Sequence, residues 1–331
     1  YLYINKEEWS HIKKTYQRED VKESLAKVCM TYELPYADIS EEDARKEYLK
    51  LKGTRYHELL TEGEWFPRKA SETRYPLGFQ GKQQYVRRLN TGNGASNHFQ
   101  QANRWSVDGT VSPGPFRTWN NPDFMFSLIG GMYTLKFDEV SKNTLRTCLS
   151  LRKYICSQFK PNVAKALYDF VQAKNVLDIS AGWGDRLIGA IAYNKCEYTG
   201  VDPSICMEPI YKEIINTLVP RNDSSRYNVI KDGFENIIVP QSYYDLVFTS
   251  PPFFDFELYE KSETQSVEKF NTLDKWLNGF LFPLIKKSYD SLIIGGYLGL
   301  YISDYTNVNF TKDMFNYIKN EINGFKYCGD I

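Results

Sequence analysis

The stretch Val176-Leu-Asp-Ile-Ser-Ala-Gly-Trp-Gly184 constrains the fold more than any other part of this 331-residue chain. A short apolar run ending in an acid leads into two glycines and then, from Asp185, into a helical pattern. Strand, glycine turn and helix in that order let a backbone pass close beneath a nucleotide-like group, because glycine turns sharply and puts no side chain in the way. A second apolar run, Asp245-Leu-Val-Phe-Thr-Ser-Pro-Pro-Phe253, reads as another buried strand that ends in a polar residue, two prolines and an aromatic.

Around these two stretches the pattern alternates between strand and helix. Strands are expected at 197–202 and 227–232, and a glycine turn feeding a strand at 291–302. Helices are expected at 185–196, 205–218, 273–289 (with Pro283 as a kink or boundary) and 307–323, and Gly324-Phe-Lys-Tyr327 reads as the start of one more strand. Such alternation predicts an α/β fold with a Rossmann-like, doubly wound sheet. Asp202 stands at the carboxyl end of the second strand, about 20 residues past the glycine turn, where an acid can accept hydrogen bonds from ribose hydroxyls. The glycine spacing is D-x-x-x-G-x-G rather than G-x-G-x-x-G, which turns the reading away from NAD. Upstream, apolar spacing marks a helix within 142–159, and Phe159-Lys-Pro-Asn precedes another at 164–171, with Pro161 a natural helix start.

Residues 1–140 form an N-terminal extension to a domain at 141–331. Residues 1 to about 60 read as helical, and Ser40-Glu-Glu-Asp43 is a capping box leading into a helix. This part is expected to be a helical cap or an arm that docks a protein partner. Residues 62–123 change character: Gly, Pro, Asn and Ser gather in Asn90-Thr-Gly-Asn-Gly-Ala-Ser-Asn97, Val111-Ser-Pro-Gly-Pro-Phe116 and Trp119-Asn-Asn-Pro122, and loops with short strands are expected. The formal net charge is zero, but between positions 68 and 117 Arg68, Lys69, Arg74, Lys82, Arg87, Arg88, Arg104 and Arg117 stand against only Glu72 and Asp108, whereas residues 201–331 carry 12 basic and 18 acidic side chains. Interleaved Trp65, Phe66, Tyr75, Phe79, Tyr85, Phe99, Trp105, Phe116 and Trp119 could supply stacking surface, so Arg87, Arg88, Arg104, Trp105 and Arg117 are candidate nucleic-acid contacts. The alternative is a surface region whose aromatics form their own small core.

The two signature stretches together resemble the class I S-adenosylmethionine (SAM) dependent methyltransferases, in particular the DNA amino-methyltransferases that act on cytosine N4 or adenine N6. The resemblance covers residues 155 to 331. It implies a SAM cofactor held by Asp178, Ser180, Gly182 and Gly184 of the first motif, by Asp202 on the ribose, by Asp232 and Phe234 around the adenine, and by Lys160-Pro161 beside the methionine end. It also implies an antiparallel final strand. Ser250-Pro251-Pro252-Phe253 fits the family's catalytic (D/N/S)-P-P-(Y/F/W) form. A base amine is a poor nucleophile because its lone pair is delocalised into the ring. The Ser250 side chain and a main-chain carbonyl near Pro251 would accept its N–H bonds, the prolines would leave that carbonyl free of neighbouring donors, and Phe253 would stack on the flipped base. Ser in the first position resembles the cytosine-N4 group. The other readings are an RNA base amino-methyltransferase, acting on guanine N2 or adenine N6, and a non-catalytic nucleic-acid-binding subunit with the same fold. DNA is favoured over RNA as the partner. Only 65 residues separate Gly184 from Ser250, so target recognition is expected to fall to the basic, aromatic stretch at 62–123.

The six cysteines form no C-x-x-C pair and only three histidines accompany them, which argues against structural zinc and for reduced thiols. No apolar run approaches the roughly 18 residues of a membrane span. A soluble, cytoplasmic or nuclear protein without a metal is expected. The chain opens on Tyr1 and ends at Ile331 just after a strand-like start, as a fragment of a longer protein would.

Overall fold

The computed structural model describes residues 1–62, 78–79, 84–86, 89–109, 112–255, 266–305 and 308–330. The chain forms two compact units. They do not follow the expected split at 140/141: Tyr1–Asp38 and Gln100–Ser157 make one, while Ile39–Phe99 belongs with the residues that follow Gln158. The reason lies in one helix. Glu41–Gly53, capped by Ser40 and Asp43 as the sequence predicts, buries Tyr48 and Leu51 in the same apolar cluster as the sheet's own helices.

The first unit is helical. Lys6–Thr15, Arg18–Cys29, Pro115–Trp119, Pro122–Thr134 and Lys142–Arg152 enclose a core of Trp9, Leu25, Trp119, Met125, Ile129, Met132 and Leu145. Both indoles are satisfied inside it, Trp9 Nε1 donating to the Phe137 carbonyl at 3.1 Å and Trp119 Nε1 to that of Tyr32 at 2.8 Å. The loop reading gives way to helices at Pro115–Trp119 and from Pro122, while 112–114 are irregular. Pro115 sits in the first turn of one, and Asn121 caps the next through N–H bonds from Asp123 and Phe124.

The second unit is built on a five-stranded sheet. Its strands are β1 (Asn175–Asp178), β2 (Glu197–Asp202), β3 (Tyr227–Lys231), β4 (Tyr244–Thr249) and β5 (Leu292–Leu300). Every pairing is parallel and the order is β3-β2-β1-β4-β5. This is a Rossmann-like, doubly wound sheet: the order reverses between β1 and β4, and in such sheets ligands bind beyond the carboxyl ends of the strands at that reversal. The Asp245 carboxylate fixes the start of β4 against β1 by accepting the Lys174 N–H at 2.8 Å and the Asn175 N–H at 3.1 Å. The glycine turn expected before the last strand is a bulge within β5, where Leu292 pairs with Tyr244 but Tyr297 with Leu246.

The flanking helices are α1 (Pro161–Val171), α2 (Asp185–Tyr193), α3 (Glu208–Leu218), α4 (Phe282–Ser291) and α5 (Thr311–Glu321). Before α4 the chain makes one α turn, Leu273–Trp276, and a π turn, Leu277–Leu281. Pro283 explains that widening, since it has no N–H to give and its ring needs room beside the preceding turn. Two further expectations fail. The stretch after Asn90 is not a loop: Asn93–Ser106 is helical, and burial of Ala95 and Phe99, four residues apart, overrides the poor propensity of its Gly and Asn. Gly324-Phe-Lys-Tyr327 is not a strand; Phe325 there packs edge-on against Tyr289 at 5.0 Å. The short strand Gly329–Asp330 pairs instead, antiparallel, with Gly78–Phe79.

Candidate active site

Asp178, at the end of β1, is fully buried. Its Oδ2 accepts from Arg186 Nε at 2.8 Å and from the Tyr198 hydroxyl at 2.6 Å, and its Oδ1 from the Thr249 hydroxyl at 3.0 Å and the Ser180 N–H at 3.4 Å. One carboxylate thus ties together the ends of β1 and β4, a tyrosine from near the start of β2, the glycine turn and the first turn of α2. Its acceptor positions, about four for a carboxylate, are all used inside the protein, so it holds the turn in place rather than facing a ligand. Burial works against the Arg186 guanidinium charge, and Asp178 with Tyr198 and Tyr168 more than offsets it, leaving the Arg186 pKa above its ordinary value. Removing one member of such a buried pair typically costs ~3–5 kcal/mol, because the other charge is left uncompensated.

The turn itself needs its glycines. Gly182 and Gly184 adopt φ of +57° and +78°, and a side chain at Gly184 would meet Ile214 at 2.9 Å. Asp202, at the end of β2, binds this turn directly. Its Oδ2 accepts the Gly182 N–H at 2.7 Å and its Oδ1 the Ser204 N–H at 3.0 Å, while the Tyr211 hydroxyl donates to the Gly182 carbonyl at 2.5 Å. Burial pushes the Asp202 carboxyl up to about 6, against the pull of the Ser204 and Gly182 N–H groups. It lines a shallow depression with Ser204, Glu208, Tyr211, Val229 and Lys231.

The remaining cofactor candidates are placed less directly. Lys160 has a left-handed backbone, φ +57°, and its Nζ donates to Asn90 Oδ1 at 3.1 Å, while Pro161 is buried in the first turn of α1. Asp232 accepts from Asn236 Nδ2 and the Gly233 N–H, both at 2.7 Å, which holds its carboxyl below the ordinary value. Phe234 is buried in the core with Leu177, Ile179 and Val201, and Lys287 Nζ lies 4.7 Å over its ring. That face is covered, which removes Phe234 as an open wall for an adenine. Ile205, in the turn after β2, is an exposed apolar residue.

Ser250-Pro-Pro-Phe253 leaves the end of β4 one residue after Thr249. Pro251 is buried, and Ser250, Pro252 and Phe253 are half-buried. An aromatic group not singled out from sequence surrounds it. Phe159 meets Phe248 at 5.4 Å and Tyr301 at 5.2 Å, both edge-on, and the Arg186 guanidinium lies 5.0 Å over the Phe159 ring. Arg186, Tyr198 and Thr249 were equally unmarked. The one available signal was a polar or charged residue set at the end of a strand or in the first turn of an apolar helix.

The proposed nucleic-acid contacts fare unevenly. Arg104 and Trp105 are buried, Trp105 in the helical core 5.1 Å from Tyr36, so neither offers a surface to a phosphate or a base. Phe99 and Trp119 are buried likewise. Arg117 is exposed, paired with Asp108 at 3.6 Å and set over Phe124. Arg87 and Arg88 lie outside the described residues. Among the described residues no cluster of His, Cys, Asp and Glu could hold a metal, and no helix is long and apolar enough to cross a membrane.

No protein-family model matches this sequence, and neither does any curated protein. Solved structures with a similar chain path include a tRNA (m1A58) methyltransferase from Aquifex aeolicus, 13% identical over 48% of this chain and 52% of that one, with a TM-score of 0.33. A coclaurine N-methyltransferase bound to N-methylheliamine and SAH is 13% identical over 85% of this chain and 63% of its own, TM-score 0.29. A glycopeptide N-methyltransferase complexed with sinefungin is 12% identical over 44% and 56%, TM-score 0.29. This chain therefore spans less than two thirds of each of them. The fold follows from the strand order above and takes nothing further from these likenesses.

Proposed function

We propose that this protein is a SAM-dependent methyltransferase that acts on an exocyclic amine of a nucleic-acid base, DNA cytosine N4 first and adenine N6 second. The observation that carries the reading is the Thr249 hydroxyl on Asp178. Through it, the residue before Ser250 is bonded to the carboxylate that also orders the glycine turn, so the two signature stretches meet at the reversal point of the sheet.

The residues present fit the cofactor. A side chain built at Gly182 would find nothing nearer than the Ser180 carbonyl at 3.7 Å, so the turn leaves open space above it. The Asp202 carboxylate, with an N–H on each oxygen, keeps acceptor capacity for a ribose hydroxyl. When bound, the cofactor supplies a methyl group already activated on a sulfonium. The chain's own part is to present the amine. Ser250 Oγ and the carbonyl at Pro251 accept its two N–H groups, which favours the pyramidal nitrogen that attacks. The rigid prolines keep that carbonyl aimed outward. Phe253 stacks on the base and sets the line of approach, where positioning supplies much of the rate. Ser rather than Asp at the first position supports cytosine.

Isotope-labelled SAM, incubated with duplex DNA, single-stranded DNA and structured RNA and followed by nucleoside mass spectrometry, tests this reading. N4-methylcytosine from the wild type and at least 100-fold less from Ser250→Ala is the expected result. Label in a ribonucleoside would replace the substrate, and no labelled nucleoside from any of the three would overturn the proposal.

A further inference from the structure

Tyr301 directly follows β5, and its main-chain N–H donates to the Thr249 carbonyl at 2.9 Å. Its backbone is thereby fixed beside the residue that leads into Ser250. The side chain is not covered: 59% of the residue remains exposed. Phe159 touches it edge-on, at 5.2 Å and 87°, and Phe159 is itself held by Phe248 and by the Arg186 guanidinium. Phe159 is therefore a backing ring, and Tyr301 stands out from it. On the other side lies Phe253, 6.3 Å away with the two planes 39° apart. Two rings from the ends of adjacent strands thus form a wedge at the Ser-Pro-Pro loop.

We propose that Tyr301 is the second wall of the slot that receives the target base, opposite Phe253; this rests on the reading of the site as a base methyltransferase. A planar base between two rings needs about 7 Å, twice the ~3.5 Å of a good carbon–carbon contact. The two ring centres stand 6.3 Å apart and their planes 39° out of parallel, so the base enters as the rings part and align. A rotation of the Tyr301 side chain, which is packed along one edge, brings the planes parallel. Stacking on two faces removes the tilt that one wall would permit and directs the edge of the base toward the loop that carries Ser250. Such stacking is tolerant of which base is held, because every base has a π-face. Tyr301 accordingly sets affinity and alignment, while Ser250 reads the amine.

Kinetics of methyl transfer to mixed-sequence duplex and single-stranded DNA test this assignment, with Tyr301→Ala and Tyr301→Phe beside the wild type. S-adenosylhomocysteine affinity and the thermal midpoint are measured on the same samples. Tyr301→Ala lowers kcat/KM for DNA about 10- to 100-fold, and Tyr301→Phe, which keeps the ring, recovers most of that loss. S-adenosylhomocysteine binding and the midpoint stay where they are. Full activity in Tyr301→Ala overturns the assignment. So does a loss of activity matched by weaker S-adenosylhomocysteine binding and a lower midpoint, since that is the mark of a packing residue. A wild-type protein that labels no nucleoside takes the broader reading down and this one with it, whereas an active wild type with an equally active Tyr301→Ala removes this one alone.

Discussion

Asp178 and Asp202 each end a strand, 24 positions apart in the sequence, yet the fold uses them differently. Asp178 is spent on Arg186, Tyr198, Thr249 and Ser180. Asp202 receives a backbone N–H on each of its two oxygens, with the Tyr211 hydroxyl also beside it, and burial raises its carboxyl to about 6 from an ordinary 3.8. The folded chain therefore holds the Asp202 proton more tightly than the unfolded chain does. That contribution to stability is complete below about pH 4 and is lost as the pH rises through about 6, on the order of 3 kcal/mol in all. A ligand hydroxyl donating to Asp202 needs the ionised form, so cofactor affinity runs the other way and falls as the pH drops below 6. Thermal midpoints of the protein without ligand, taken from pH 4 to 7, should decline across that window in the wild type and flatten in Asp202→Asn. Calorimetric affinity for S-adenosylhomocysteine should weaken up to tenfold per pH unit below 6 in the wild type only. A wild-type affinity independent of pH would remove Asp202 from the ribose. The sequence showed both acids but could not tell them apart, because the difference lies in Arg186 and Thr249, which meet Asp178 only in three dimensions.

At the scale of elements, the glycine turn is held from below by the meeting of α1 and α2. Gly189 is the point of contact: a side chain there would stand 2.6 Å from Ala164 Cβ and 2.9 Å from the Pro161 carbonyl. Gly189→Ala must push the two helices apart, and overpacking of this kind costs ~1–3 kcal/mol. The displaced element carries Lys160 and Pro161 at its start. The variant is expected to unfold at lower urea concentration and also to bind S-adenosylhomocysteine more weakly at concentrations where it is fully folded. Reduced stability with unchanged affinity would show that the start of α1 does not serve the cofactor. Elements such as β1 and β4 were legible in the sequence because parallel strands covered on both faces read as apolar runs, and β2, Glu197-Tyr-Thr-Gly-Val-Asp202, by its place after the glycine turn and helix and by the acid that ends it. Asn93–Ser106 was not, since its helical state is owed to the burial of Ala95 and Phe99 and not to its Gly- and Asn-rich start. Nor was the division of the chain legible, because Tyr48 and Leu51 join the core of the sheet unit across a long separation in sequence.

At the scale of the molecule, a net charge of zero conceals an uneven distribution. Burial of Arg104 and Trp105 takes two candidates away from a nucleic-acid surface, and the remaining basic residues of that stretch bear the prediction more heavily. Arg87 and Arg88 are adjacent in the sequence and have no acid within four positions on either side. If they track the phosphate backbone, each contact releases counterions, and log affinity falls with log salt by about 0.9 per phosphate neutralised. Fluorescence anisotropy of a labelled, mixed-sequence duplex, titrated from roughly 50 to 300 mM salt, reads this slope directly. The double variant Arg87→Ala, Arg88→Ala should bind more weakly at every salt concentration, with a slope shallower by about 2, while its S-adenosylhomocysteine affinity stays the same. Because phosphate contacts carry no base preference, the loss should be equal for duplexes of different sequence. An unaltered slope would place the backbone contact elsewhere, with exposed Arg117 the next residue to replace. A slope near zero in the wild type itself would mean that the substrate is recognised without its phosphates, which a base methyltransferase acting on long DNA could not readily do.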